Sequence, residues 1–395
     1  ESELKLKTAR TLKWNTIDKV SSQVLYAVTG VILANVLSKS DFGLVGAMLV
    51  FQAFASLFVE SGFSSALIQK KEPTETDYCS VLYFNLGMSI AIYAILWFCA
   101  PLIADIFGDE RLVGLSRVMF LSFILNATAI VQTNRLMKQM TVAKIAIGNT
   151  IGLVASGIVG IWLAFAGFGA WAIVWQTIVL AAVKSGFLWL TSGWLPRARF
   201  QLAALKSVFS VGGSVMISSF LNTVSLNIYS FVIGAYYNLS KLGCYTQADK
   251  WSKMGIMSMS QFHIFVSARP FPSTFLLVTC AEPIFHILFG TKWDEAIIMF
   301  QILMGRGIFV VLTSLYNNYI LAIGRTKALV AYEIVKDSLM VAAIFITIPL
   351  GVTAMIWGQF VASALFYVYS IIVSSRISGY KTRLIVADIL PYLAI

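Results

Sequence analysis

Unbroken apolar runs dominate this chain. They return about every 30 residues, and each is near the ~20 residues a helix needs to cross a bilayer. Hydrocarbon leaves open backbone groups unsatisfied, so spanning segments must be helices or a closed barrel. The runs do not alternate between apolar and polar residues, which selects helices. Composition agrees: 58% of the 395 residues are hydrophobic and only 12% are charged, against roughly 25% charged in a soluble domain. Mean hydropathy is +0.82. The sequence predicts an all-α polytopic membrane protein.

The runs fall into two related sets. Pro101-Leu-Ile-Ala-Asp-Ile-Phe-Gly108 returns as Pro283-Ile-Phe-His-Ile-Leu-Phe-Gly290, with Phe before Gly in both copies. Leu37-Ser-Lys-Ser-Asp-Phe-Gly43 matches Leu239-Ser-Lys-Leu-Gly243, each after an apolar segment with Val-Ile-x-Ala. Gly167 to Gln176 is echoed by Gly351 to Gln359. Three matches in one order indicate a fold-level duplication, too long in period for a solenoid. Two lobes are expected: 1–200 with helices near 17–38, 43–68, 79–105, 112–134, 143–166 and 169–194, and 201–395 with helices near 207–235, 243–265, 271–289, 296–322, 326–350 and 353–375.

Twelve spans sort the loop cations strongly. Eighteen Lys and Arg fall on one side and four, Lys39, Arg111, Lys241 and Lys292, on the other. The positive-inside bias puts the N-terminus in the cytoplasm. Six helices per half give two lobes of the same orientation, a parallel repeat, and transporters built so bind substrate between the halves. The net charge of +11 reflects inner loops facing anionic lipid; no nucleic-acid partner is expected. Gly43 to Pro101 spans 58 residues and Gly243 to Pro283 only 40, so the second half is shortened, with helices eight and nine expected to be displaced or poorly formed near 262–280. The final stretch from Asp388 to Ile395 reads as the opening of a further helix, so the C-terminus is expected to be truncated. The four Cys show no paired or metal-ligand spacing.

Several motifs carry a family resemblance: Leu12-Lys-Trp14, Asp41-Phe-Gly43, Glu60-Ser-Gly-Phe-Ser-Ser-Ala-Leu-Ile68, Gln132-Thr-Asn134, Ala281-Glu-Pro283 and Phe289-Gly-Thr-Lys-Trp293. With them the chain resembles the polysaccharide transporter, Wzx-type flippase, branch of the multidrug/oligosaccharidyl-lipid/polysaccharide exporter superfamily. The resemblance covers nearly the whole chain except 262–280. It implies a twelve-to-fourteen-helix bundle of two lobes around a central cavity, and movement of undecaprenyl-pyrophosphate-linked oligosaccharide from the cytoplasmic to the periplasmic leaflet of the bacterial inner membrane. It implies lipid-linked oligosaccharide and membrane lipid as partners, polysaccharide polymerase machinery as an associate, and a functional monomer.

Polar side chains inside the runs are the candidate site. A charge at mid-bilayer costs roughly 2.5–3.5 kcal/mol on insertion scales, so a retained one usually faces protein or water. Gln52, Ser56, Glu60 and Ser64 recur every four residues; Ser214, Ser218 and Asn222 do the same, continued by Ser225 and Tyr229. Asp18, Ser22, Tyr26 and Thr29 mark helix one, and Arg306, Thr313 and Asn317 align on helix ten. Such stripes either line a wet cavity or glue helices together. Substrate binding is assigned to Arg306, whose planar fork can grip two phosphate oxygens, with Lys250, Lys253, Asn222, Asn317, Gln52 and Ser56. Lys250 and Lys253 have an alternative in snorkelling to an interface. Glu60 is either a charge partner or a coupling site. No cofactor is expected, with H+ or Na+ as the possible coupling cation. Glu333, Lys336 and Asp337 can pair among themselves at helical spacing.

Two other functions compete with this one. An ion-coupled small-molecule antiporter shares the fold, but Arg306 argues against cationic cargo. A membrane polymerase or glycosyltransferase would need a catalytic loop with paired carboxylates or a metal site, and the expected outer loops are only a few residues long.

Overall fold

The computed structural model describes residues 2–60, 67, 73–265, 270–322 and 326–378, with side chains described outside 1–10, 58–66, 68–72, 203–218, 258–273, 321–328 and 378–395. The chain divides into two compact units, 1–220 and 221–395. In chain order the helices are α1 (Ser2–Val36), α2 (Lys39–Glu60), α3 (Glu75–Phe107), α4 (Arg111–Met119), α5 (Leu121–Lys138), α6 (Val142–Phe165) and α7 (Trp171–Ser192). There follow α8 (Leu202–Tyr236), α9 (Leu239–Phe265), α10 (Pro270–Thr279), α11 (Ala281–Phe289), α12 (Asp294–Ala322), α13 (Thr326–Thr347) and α14 (Val352–Ser378). The unit boundary falls within α8.

Eight helical stretches among the described residues are long and apolar enough to cross a membrane. Large apolar side chains point outward along them: Phe98 is 80% exposed, Leu190 86% and Phe165 70%. A water-facing surface does not carry so much apolar area, whereas lipid accepts it. The chain is an all-α multi-pass membrane protein.

The repeated motifs are helix ends. Pro101 lies inside α3, which stops at Gly108 with φ 67°, and Pro283 lies in α11, which stops at Gly290 with φ 66°. That backbone region penalises any side chain with a Cβ. The buried Phe before each Gly anchors the end, Phe107 at 6% exposure and Phe289 at 4%. The second motif starts a helix. Ser38 caps α2, its N–H donating to Asp41 Oδ2 at 2.9 Å while Asp41 N–H donates to Ser38 Oγ at 3.1 Å. In the second half Asn238 Oδ1 accepts from Lys241 N–H at 2.8 Å. The caps therefore align Ser38 with Asn238 and Gly43 with Gly243, and the Leu-Ser-Lys match lies two residues out of that register.

Each unit also ties this corner to a later turn between helices. Asp41 Oδ1 accepts from Ala170 N–H at 3.1 Å beside Gly169; Tyr237 donates to the Ile348 carbonyl, next to the turn at Gly351. Beyond α3, Arg111 donates to both carboxylate oxygens of Asp109 and to Ser40 Oγ, which holds the Asp109 carboxyl below its ordinary range.

Helix pairing repeats as well. In the first unit α6 packs on α7, α5 on α7, and α3 and α2 on α5; in the second α13 packs on α14, α12 on α14, and α10, α11 and α9 on α12. Among the described residues one pairing scheme thus recurs in both units. The first core joins Cys79, Val81 and Leu82 of α3 to Val131 of α5 and to Trp194. The second joins Ile320, Tyr332 and Phe366 from α12, α13 and α14. The shortened region departs from the scheme: α3 runs 33 residues unbroken, while its counterpart is two helices of 10 and 9 residues meeting at Cys280. Residues 266–269 and 388–395 lie outside the described residues.

The polar stripe on α1 holds helices together. Asn149 of α6 donates to both Asp18 oxygens at 3.3 Å, and a Cβ on Gly157 would meet Thr29 Cγ2 at 2.6 Å. Alanine at 157 would trade that clash against a helix-propensity gain of roughly 1 kcal/mol. Leucine has a far larger clash, so Gly157→Leu is expected to lower stability by about 1–3 kcal/mol, read as a drop in the thermal midpoint of helical circular dichroism in detergent.

Candidate functional site

In the second unit α8, α12, α13 and α14 leave a cavity of about 160 Å³, room for roughly five waters at ~30 Å³ each. Its polar lining is Asn222 and Ser225 from α8, Arg306, Thr313, Ser314 and Asn317 from α12, Tyr332, Glu333 and Lys336 from α13, and Ser363 from α14. Phe309 and Phe366 add aromatic faces. The helical spacing of Arg306, Thr313 and Asn317 places all three on this wall.

Arg306 is half-buried, and among the described residues its one hydrogen bond runs from Nε to Ser363 Oγ at 3.2 Å. Ser363 in turn donates to the Gln359 carbonyl at 2.9 Å, so its oxygen is free to accept. This contact fixes the plane of the guanidinium by its inner nitrogen. The two terminal nitrogens, the pair that grips an oxyanion side-on, have no hydrogen-bond partner among the described residues. Gly307, next in the chain, lets α9 approach here: a Cβ would meet Ile256 Cδ1 and Cγ1 at 2.5 Å.

The other charges in the lining are committed. Lys336 Nζ contacts Glu333 Oε2 and donates to Asn222 Oδ1 at 3.3 Å; Asn317 donates to Glu333 Oε1 at 3.3 Å. Ser225 Oγ donates to Asp337 Oδ1. Tyr229, fully buried, donates to the Met340 carbonyl at 3.3 Å. Of the sequence candidates the cavity thus gathers Arg306, Asn222 and Asn317. The Glu333–Lys336 pair exists, yet it opens onto the cavity and recruits an amide from each of two other helices. Asp337 pairs with a serine.

The remaining candidates lie elsewhere. Lys253 is bound to Asp249 at 2.5 Å, and Lys250 stands 5.9 Å from the Trp251 ring; neither lines this cavity. Gln52 and Ser56 belong to α2 in the first unit. Ser56 donates to the Ala53 carbonyl at 3.0 Å, and Gln52 Oε1 is buried without a partner among the described residues. The side chains of Glu60, Ser64, Ser214, Ser218 and His263 lie outside those described. Ser363, Tyr332 and the aromatic pair were not singled out from sequence, since nothing in their spacing separates them from packing residues.

Residues 32–262 match the model of a family described as polysaccharide biosynthesis protein. The chain belongs to this family, as a polysaccharide transporter of the Wzx type. It is 27% identical to the succinoglycan biosynthesis transport protein ExoT of Rhizobium meliloti, over 93% of this chain and 83% of that one. It is 21% identical to the lipopolysaccharide biosynthesis protein WzxC of Escherichia coli, over 87% and 75% respectively. Among solved structures it is similar to the lipid II flippase MurJ in an inward closed conformation, with TM-score 0.69, 17% identity, and coverage of 91% of this chain and 86% of MurJ. An inward-facing multidrug resistance MATE transporter gives TM-score 0.62 at 16% identity, covering 91% of this chain and 96% of that one. At these identities the structural matches establish a shared fold.

Within the site, Glu333 and Lys336 have side chains only 6% and 16% exposed. Breaking such a pair strands one charge, whereas removing both does not. Glu333→Ala is expected to cost about 3–5 kcal/mol, and a Glu333→Gln, Lys336→Met double variant to recover most of it, as measured by thermal unfolding of the purified proteins.

Proposed function

We propose that this chain flips undecaprenyl-pyrophosphate-linked oligosaccharide, the repeat unit of an O-antigen, capsule or exopolysaccharide, from the cytoplasmic to the periplasmic leaflet of the bacterial inner membrane. It works by alternating access and makes or breaks no bond, with the N-terminus in the cytoplasm. The carrying observation is Arg306. Its guanidinium is oriented through Nε, its outer nitrogens have no hydrogen-bond partner among the described residues, and it faces a polar cavity inside an apolar bundle. An arginine so held matches two oxygens of a diphosphate. Asn222, Thr313 and Ser314 offer neutral partners beside it. The names of the relatives, a succinoglycan transport protein and a lipopolysaccharide biosynthesis protein, agree with such a cargo. For a cationic drug the wall beside Arg306 is unfavourable, since that guanidinium has no carboxylate partner among the described residues.

The test is complementation of a strain lacking the native gene. Charged hydrogen bonds contribute about 1.5–3 kcal/mol each, so Arg306→Ala is expected to cut flipping roughly tenfold to a hundredfold. Lipid-linked oligosaccharide would then accumulate on the cytoplasmic leaflet, and Arg306→Lys would restore part of the rate. Normal flipping by Arg306→Ala would remove this residue from the path. An unchanged lipid pool with altered drug tolerance in the deletion strain would favour the antiporter.

A further inference from the structure

We propose that Lys336 is a tethered cation: its ammonium group fills a cage of oxygen ligands that would otherwise hold a monovalent metal ion, so the second unit needs no sodium there. The cage is drawn from three helices. α13 supplies the Glu333 carboxylate, with Asp337 one turn on; α8 supplies the Asn222 carbonyl oxygen, while its Ser225 hydroxyl donates to Asp337; α12 supplies Asn317, whose amide steadies Glu333. Carboxylate, amide and hydroxyl oxygens are the donors that hard cations prefer. The Lys336 ammonium touches two of them, Glu333 Oε2 and Asn222 Oδ1, from two different helices.

Charge counting favours the same reading. Among the described residues Arg306, Lys336 and Glu333 line this space and Asp337 follows Lys336 on α13, so the four charges sum to zero. Remove the ammonium, and two carboxylates remain against one guanidinium that is bonded to Ser363. One negative charge is then left in a low-dielectric bundle, where it must be neutralised. A single monovalent ion restores the balance; a divalent ion overshoots it. Asp337 Oδ2 is buried and has no hydrogen-bond partner among the described residues. A purely local i,i+3 ion pair explains neither the Asn222 carbonyl on the ammonium nor the unused Asp337 oxygen.

The experiment reads ion binding, so it stands whether or not Arg306 grips the cargo. Purified protein in detergent is melted in NaCl, KCl or choline chloride at fixed ionic strength, followed by intrinsic fluorescence. The native chain is expected to melt at the same temperature in all three salts. Lys336→Met is expected to melt lower in choline and to gain about 5 °C or more as NaCl saturates the vacated cage. Lys336→Ala is expected to gain similarly from methylammonium chloride, which returns the missing group untethered. A saturable sodium-specific shift in the native chain would overturn the proposal. So would a folded Lys336→Met whose curves in sodium and choline superimpose. If Lys336→Met does not fold in either salt, Lys336→Ala prepared with and without methylammonium decides: recovery of folded protein supports the tethered cation, and no recovery rejects it.

Discussion

A polar group inside hydrocarbon has no water to turn to, and that one restriction organises this protein at every scale. It makes the spans helical, since only a helix satisfies its own backbone. It concentrates exceptions at the helix ends, where donors and carbonyls are left over. The chain meets those exceptions with the residues it repeats: Ser38 with Asp41 and Asn238 at helix starts, Gly108 and Gly290 at helix stops. The duplication is therefore visible in sequence mainly where the physics is least forgiving. Elsewhere one apolar residue replaces another freely, because lipid-facing positions ask only for oiliness.

The same restriction sorts the polar side chains. Between α1 and α6 polar groups close on one another, Asp18 with Asn149. In the second unit Lys336 closes on Glu333 and Ser225 on Asp337, but among the described residues Arg306 is held by one nitrogen and left open at two. A closed group stabilises packing; an open one in a cavity is available to a ligand. Net charge would not distinguish them.

The fold was legible because apolar runs and Gly-Pro punctuation both survive in one dimension. What was not legible is where a span breaks. Residues 271–289 read as one apolar helix, yet the chain folds as α10 and α11 meeting at Cys280; Pro283 lies in the first turn of α11, but the matching Pro101 leaves α3 unbroken, so the Pro alone does not announce the break. In the site, Arg306, Asn222 and Asn317 stood out because each interrupts an apolar run. Ser363, Tyr332 and Phe309 could not, since serine and aromatics are equally common as helix glue. Glu333 and Lys336 were legible as a pair, but the Asn222 oxygen that turns the pair into a cage is more than a hundred residues away in sequence. Lys250 and Lys253 lie on α9 outside this cavity, Lys253 paired with Asp249 and Lys250 beside the Trp251 ring, neighbours that the spacing of charges alone does not reveal.

Two cations in one cavity thus do different work because of where their partners sit. Lys336 carries its charge on a flexible stem with a carboxylate one turn back on the same helix, so its partner moves with it. Arg306 has no carboxylate among the described residues; its hydroxyl partner comes from α14, and α9 packs tightly against the next residue, Gly307. Any shift of α12 against α14 or α9 would turn the open guanidinium while leaving the Lys336–Glu333 pair intact. A transporter that must bind an anion in one state and release it in another needs that asymmetry: a fixed charge balance within one helix, and a binding charge whose aim depends on how helices pack.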